Sequence, residues 1–122
     1  MTLLAWIAVG ASGALGAYAR FLVGGAISAR RPSAFPIGTF VVNLSGGFAL
    51  GVLTGLAVNG DTLLVLGTGL LGAYTTFSTW MIEAERLGEA GRLPAMWLYL
   101  LGSMLAGLAG TGLGWLIGEA LR

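Results

Sequence analysis

Four apolar runs divide this chain, and each comes close to the ~20 residues that carry a helix across a bilayer. They cover about 3–28, 37–58, 62–82 and 95–117 of the 122 residues. In hydrocarbon no water satisfies backbone N–H and C=O groups, so each run must close its own hydrogen bonds as a helix. Charged residues are 9% of the chain and hydrophobic ones 57%, against roughly 25% charged in a soluble domain. The expectation is an all-α integral membrane protein with four transmembrane helices in a single domain over 1–122. The third helix has room to extend to about residue 90 before Pro94 lets the fourth begin. The first run has no basic leader and outlasts a signal-peptide core, so it reads as a retained helix. Localisation follows: a multi-pass membrane protein.

What is missing narrows the chemistry. The chain has no Cys and no His, which removes disulfides, thiolate chemistry, the commonest general base and the commonest transition-metal ligand. These absences argue against an enzyme. A net charge of +1 argues against nucleic acid as a partner.

Arg30-Arg31-Pro32-Ser33 marks the first loop, Asn59-Gly60-Asp61 a tight turn, and residues 83–92 the one charged stretch. Four crossings place both termini and the Asn59 turn on one side, with Arg122 as its only Arg. Arg30, Arg31, Arg86 and Arg92 fall on the other, which the positive-inside rule makes cytoplasmic. Gly is 22 of the 122 residues. Gly47, Gly51 and Gly55 repeat at four-residue spacing in the second run, as do Gly102, Ala106, Gly110, Gly114 and Gly118 in the fourth. Such faces let helices approach closely, within or between subunits. Four helices enclose little interior, so a dimer with these faces as contact surfaces is the economical expectation.

The third run ends in Gly72-Ala73-Tyr74-Thr75-Thr76-Phe77-Ser78-Thr79-Trp80. An anchoring helix has no use for so many hydroxyls. A weak point in a spanning helix persists only when buried in protein or lining a cavity, so the third helix is expected to be broken here, at an ion site and part of a pore. Other polar groups in apolar surroundings carry two readings each. Arg20 is either a helix-end anchor or a charge at a pore mouth. Asn43 is either an interhelical bond or an N–H donor to an anion. Its neighbours Thr39 and Ser45 bond back to their own helix or join it. Phe77 and Trp80, three apart, either pack together or present positive ring edges to an anion. Tyr99 and Ser103, four apart, extend a hydroxyl track on one face. Glu83 is either an interfacial carboxylate or a pore-end, proton-linked group.

Gly16-Ala17-x-x-Arg20, Gly38-Thr39-x-x-Val42-Asn43 and Gly72-x-x-Thr75-Thr76-Phe77-Ser78-Thr79 together resemble the Fluc/CrcB family of small fluoride channels, and the resemblance covers essentially the whole chain. It implies a fluoride-selective channel that exports fluoride passively and so relieves its cytoplasmic toxicity. It also implies an antiparallel, dual-topology dimer with two pores and a structural sodium ion at the centre. The sodium ligands would be backbone carbonyls of Gly72 and Thr75. Phe77 and Trp80 would be the pore rings and Asn43 a pore-lining amide. Thr79, Tyr99 and Ser103 would form the polar track, with Arg20 near a vestibule. Fluoride, sodium and membrane lipid are then the partners, with a second copy of the chain, in a bacterial or archaeal plasma (inner) membrane.

This chain departs from the family pattern twice. Trp80 stands where the family usually has Phe. The Arg asymmetry also favours one fixed orientation, which points either to an offset during insertion or to a heterodimer with a related subunit of opposite orientation. Two other classes compete. A small four-helix proton-coupled multidrug transporter needs a carboxylate deep in the membrane, and the first three runs have none at their centres. A structural membrane subunit leaves the Thr-Ser cluster without a purpose.

Overall fold

The computed structural model describes residues 1–122, and every regular element is helical. Helix α1 (Leu3–Arg30) starts on Thr2, whose hydroxyl accepts the Ala5 N–H at 3.1 Å. Pro32 and Pro36 then hold the loop that leads into α2 (Ile37–Gly55). Helix α3 covers residues 60–74: an α-helical start at Gly60–Leu63, a π-helical stretch at Leu64–Leu71 and a last α turn at Gly72–Tyr74. Helix α4 is Ser78–Glu89 and α5 is Leu93–Leu121, with Pro94 in its first turn. Three of these, α1, α2 and α5, are long and apolar enough to cross a membrane.

Helix α2 stops at Gly55, short of the expected 58, because Ala57 turns left-handed with φ 60° and folds the chain back. The Val58 N–H closes that turn on the Leu53 carbonyl at 3.0 Å. A left-handed conformation costs an Ala about 1–2 kcal/mol, and Gly pays none of this but is freer in the unfolded chain. Ala57→Gly should therefore raise stability by about 0.5–1 kcal/mol, read from denaturant unfolding followed by Trp fluorescence.

The interior is small because the bundle is turned inside out relative to a soluble protein. Large apolar side chains face outward along α1, from Leu3 to Leu22, and along α5, from Trp97 to Leu121. Small residues fill the helix contacts. A Cβ on Gly51 would collide with the Thr111 carbonyl, and one on Gly114 with the Phe48 carbonyl. The glycine faces of α2 and α5 therefore meet each other along their length inside one subunit. This corrects the expectation that they serve as dimer contacts.

The other half of the bundle is α1 against α3. Gly16 lies directly on the Leu70 carbonyl, and the Ser12 hydroxyl, buried between the helices, donates to the Val65 carbonyl at 2.9 Å. π-Helical stretches often mark functional sites, and this one runs into the point where the helix stops.

Candidate functional site

Helical geometry lapses at residues 75–77. Thr75 is extended, with φ −81° and ψ 161°, and the helix resumes at Ser78. Broken backbone in apolar surroundings needs substitutes for its lost bonds, and α2 supplies them. The Asn43 side chain grips the Thr76 backbone with both ends: Nδ2 donates to the Thr76 carbonyl at 2.9 Å, and Oδ1 accepts the Thr76 N–H at 2.8 Å. The Thr76 hydroxyl then accepts the Thr79 N–H at 3.2 Å, satisfying a first-turn donor of α4. The Thr75 hydroxyl donates back to the Leu71 carbonyl at 3.0 Å.

The Gly72 and Thr75 carbonyls are among those that this arrangement frees. The amide that would return to Gly72 belongs to Thr76 and is held by Asn43; the amide that would return to Thr75 belongs to Thr79 and is held by the Thr76 hydroxyl. No backbone N–H reaches either oxygen. Gly72 is exposed on the surface of the subunit. Bare, neutral carbonyls of this kind are ligands for a hard cation.

Beside the break lies a cavity of about 510 Å³ that brings together Asn43, Gly72, Thr75, Phe77, Trp80 and Ser103. The rings of Phe77 and Trp80 meet edge to face, with centroids 5.7 Å apart and planes at 81°. Phe77 is 68% exposed, whereas Trp80 is partly buried against the cluster of Ala84, Leu87 and Tyr99. Tyr99 is 0% exposed and stacks edge-on to Phe35 at 5.2 Å. Three buried polar atoms have no hydrogen-bond partner: Trp80 Nε1, the Tyr99 hydroxyl and the Ser103 hydroxyl. Tyr99 and Ser103 are one turn apart on α5, and Trp80 adjoins both the Tyr99 cluster and the cavity that Ser103 lines.

Arg20 and Thr79 belong to a second cavity, of about 340 Å³, together with Thr39 and Thr76. Thr76 borders both cavities. Arg20 thus sits ten residues inside α1, about 15 Å from its end at the helical rise, and not at a helix terminus.

Two partnerships escaped the sequence. Thr39 donates its hydroxyl to Glu83, where a bond back to its own helix was one expectation. Ser45 does bond back, to the Val42 carbonyl at 3.1 Å, and also meets the Tyr74 hydroxyl at 3.0 Å. The four-residue spacing of Thr39 and Asn43 puts both on the α2 face turned toward the break, and that spacing was the available signal.

Comparison with known proteins gives the family. Residues 7–115 match the family model described as CrcB-like protein, Camphor Resistance (CrcB). A protein of Mycolicibacterium paratuberculosis named Fluoride-specific ion channel FluC 2 is 45% identical over 113 residues, covering 93% of each chain. Fluoride-specific ion channel FluC 1 of Symbiobacterium thermophilum is 46% identical, covering 92% of this chain and 98% of its own. FluC 2 of Haloarcula marismortui is 45% identical over 107 residues, covering 88% of this chain and 87% of its own. With three apolar helices long enough to span a bilayer and a family match over nearly its whole length, the chain belongs to the CrcB family, multi-pass membrane proteins that are ion channels and not enzymes.

Proposed function

We propose that this chain forms a dimeric, fluoride-selective channel that lets fluoride leave the cell passively. Fluoride enters cells as its neutral acid and ionises at the higher internal pH, so a passive exit for the anion relieves toxicity without a coupling residue. In this reading α3 and α4 together make the third of four crossings, and residues 75–77 are its break.

One observation carries the proposal. Trp80 Nε1–H, the Tyr99 O–H and the Ser103 O–H are three buried donors with no partner at hydrogen-bonding distance in the subunit, the Tyr99 oxygen lying close to the Thr39 hydroxyl without a well-formed bond to it. A buried polar group left unpaired costs about 1–3 kcal/mol. Three such groups along one stretch of α4 and α5 are tolerated when a passing anion supplies the acceptor. Fluoride is small and strongly hydrated, so a selective path must replace its water with donors at successive positions. Neutral donors and ring edges bind it weakly enough to let it go, where a row of fixed cations would trap it. Arg20, beside Thr79 in the neighbouring cavity, draws the anion in without lining the donor stretch itself. Asn43 spends one Nδ2 hydrogen and its oxygen on Thr76 and keeps the second Nδ2 hydrogen for the ion.

The dimer is supported by what a single copy leaves open. Phe77 and Gly72 are exposed, and the bare Gly72 and Thr75 carbonyls of one subunit are two oxygens. A hard monovalent cation wants more oxygens than that. An antiparallel pair brings four carbonyls to the symmetry axis, and sodium held there would fasten the two breaks to each other. The partner is either a second copy or a related subunit of opposite orientation.

The deciding test uses this chain alone, purified and reconstituted into liposomes loaded with both fluoride and chloride. A fluoride electrode should register rapid release while chloride stays inside. Equal leakage of chloride would overturn the proposal, and fluoride release from a single purified chain would dismiss the need for a second kind of subunit.

A further inference from the structure

The charged end of the bundle holds a third cavity, of about 510 Å³, distinct from the two at the break. Its wall takes one arginine from each of three places: Arg31 just past α1, Arg86 on α4, and Arg92 in the turn before α5. Ser28 and Ser33 add hydroxyls, and Glu83 is the only acidic residue in the lining. Glu83 already accepts the Thr39 hydroxyl and forms no salt bridge. The one ion pair in the molecule joins Arg122 to Glu119, at the far terminus. The lining therefore carries three guanidinium groups and one carboxylate; none of the three guanidiniums forms a salt bridge, and only Arg86 lies near enough to Glu83 to feel its charge.

Setting topology does not require this arrangement. The positive-inside rule counts arginines in loops and is indifferent to whether they converge. Here three separate segments aim at one space. The arginines stand at the helix ends, where α1 and α4 finish and α5 begins, which is the level of lipid headgroups in a chain that spans the bilayer. Phe35, Ile37 and the buried Leu87 add apolar atoms to the same wall. A guanidinium fork matches a phosphate in geometry as well as in charge.

We propose that this cavity binds the phosphate of an anionic phospholipid, with Arg31, Arg86 and Arg92 around the headgroup. Basic pockets at the membrane surface between helices are the expected place for such headgroups. The inference needs only that the chain spans a membrane; it does not depend on fluoride conduction.

The test compares the whole dimer in detergent with added phosphatidylglycerol, cardiolipin, phosphatidylcholine or inorganic phosphate, reading the unfolding midpoint and the lipid retained in native mass spectrometry. Phosphatidylglycerol or cardiolipin should raise the midpoint and stay bound, whereas phosphatidylcholine should do neither. The double variant Arg86→Gln/Arg92→Gln should weaken phosphatidylglycerol binding about 30-fold, at roughly 1 kcal/mol for each arginine near a headgroup. Arg122→Gln, at the other end of the bundle, should leave it unchanged. Should the double variant fail to fold, charge-retaining Arg86→Lys/Arg92→Lys gives the intermediate loss expected when the bidentate fork is removed. Equal stabilisation by phosphatidylcholine, equal loss with Arg122→Gln, or full protection by inorganic phosphate alone would each overturn the lipid assignment. Because the readout is stability and not flux, it stands or falls independently of the transport assay.

Discussion

Phe77→Ile should reduce fluoride efflux from loaded proteoliposomes by about 100- to 1,000-fold, the range set by losing one preorganised anion-stabilising group worth about 2.7–4 kcal/mol. Isoleucine keeps the apolar bulk and removes the positive ring edge. The loss falls on conduction because Phe77 contributes little to the fold. Its ring is 68% exposed, and its edge-to-face contact with Trp80 is worth about 0.5–1.5 kcal/mol. Because isoleucine keeps an apolar side chain at the face Phe77 offers to a second copy, the variant should still purify as a dimer by size-exclusion chromatography. Wild-type flux in that dimer would remove Phe77 from the path. Trp80 differs from Phe77 in that it faces the interior and brings an unpartnered N–H. Trp80→Phe should thus retain selectivity for fluoride over chloride while altering the rate.

The sequence displayed some of this site openly. Run length and the scarcity of charge are direct consequences of a hydrocarbon solvent, so a multi-pass, all-helical chain could be read from composition and spacing. The hydroxyl crowd between Gly72 and Trp80 was conspicuous for the same reason, and it is where the helix lapses. Tertiary partners were not readable. Gly51 and Gly114 announce close approach, but nothing local says that they approach the Thr111 and Phe48 carbonyls of their own chain. A stripe of small residues has the same pattern whichever helix it meets. The π-helical stretch at Leu64–Leu71 also has no periodicity that a run of seven apolar and glycine residues with Thr68 among them could display. The left turn at Ala57 hides because Ala carries no signal for positive φ. Glu83 and Thr39 lie 44 residues apart, so their pairing exists only once α2 and α4 are side by side.

The same reasoning explains why Asn43 matters more than its one side chain suggests. In the sequence it was a donor in search of an anion or of another helix; in the structure it is the replacement for two backbone hydrogen bonds that the break gives up. Asn43→Leu matches its size and satisfies neither. The Thr76 N–H and C=O would then be unpaired at a position where water is scarce, at about 1–3 kcal/mol for each. The expected destabilisation is about 2–6 kcal/mol, a large share of the 5–15 kcal/mol that holds a typical domain together. The variant should lose its monodisperse dimer in detergent, and the Gly72 and Thr75 carbonyls should lose their alignment with it. Asn43→Asp separates the structural duty from the conductive one. A carboxylate still accepts the Thr76 N–H, so the dimer should survive. It offers no hydrogen to the Thr76 carbonyl or to an anion, and when ionised it repels fluoride, so efflux should slow sharply. The pair of variants therefore makes a two-way check: a stable Asn43→Leu dimer would mean that the break is held by something other than this amide, and undiminished flux through Asn43→Asp would mean that the ion passes without meeting it.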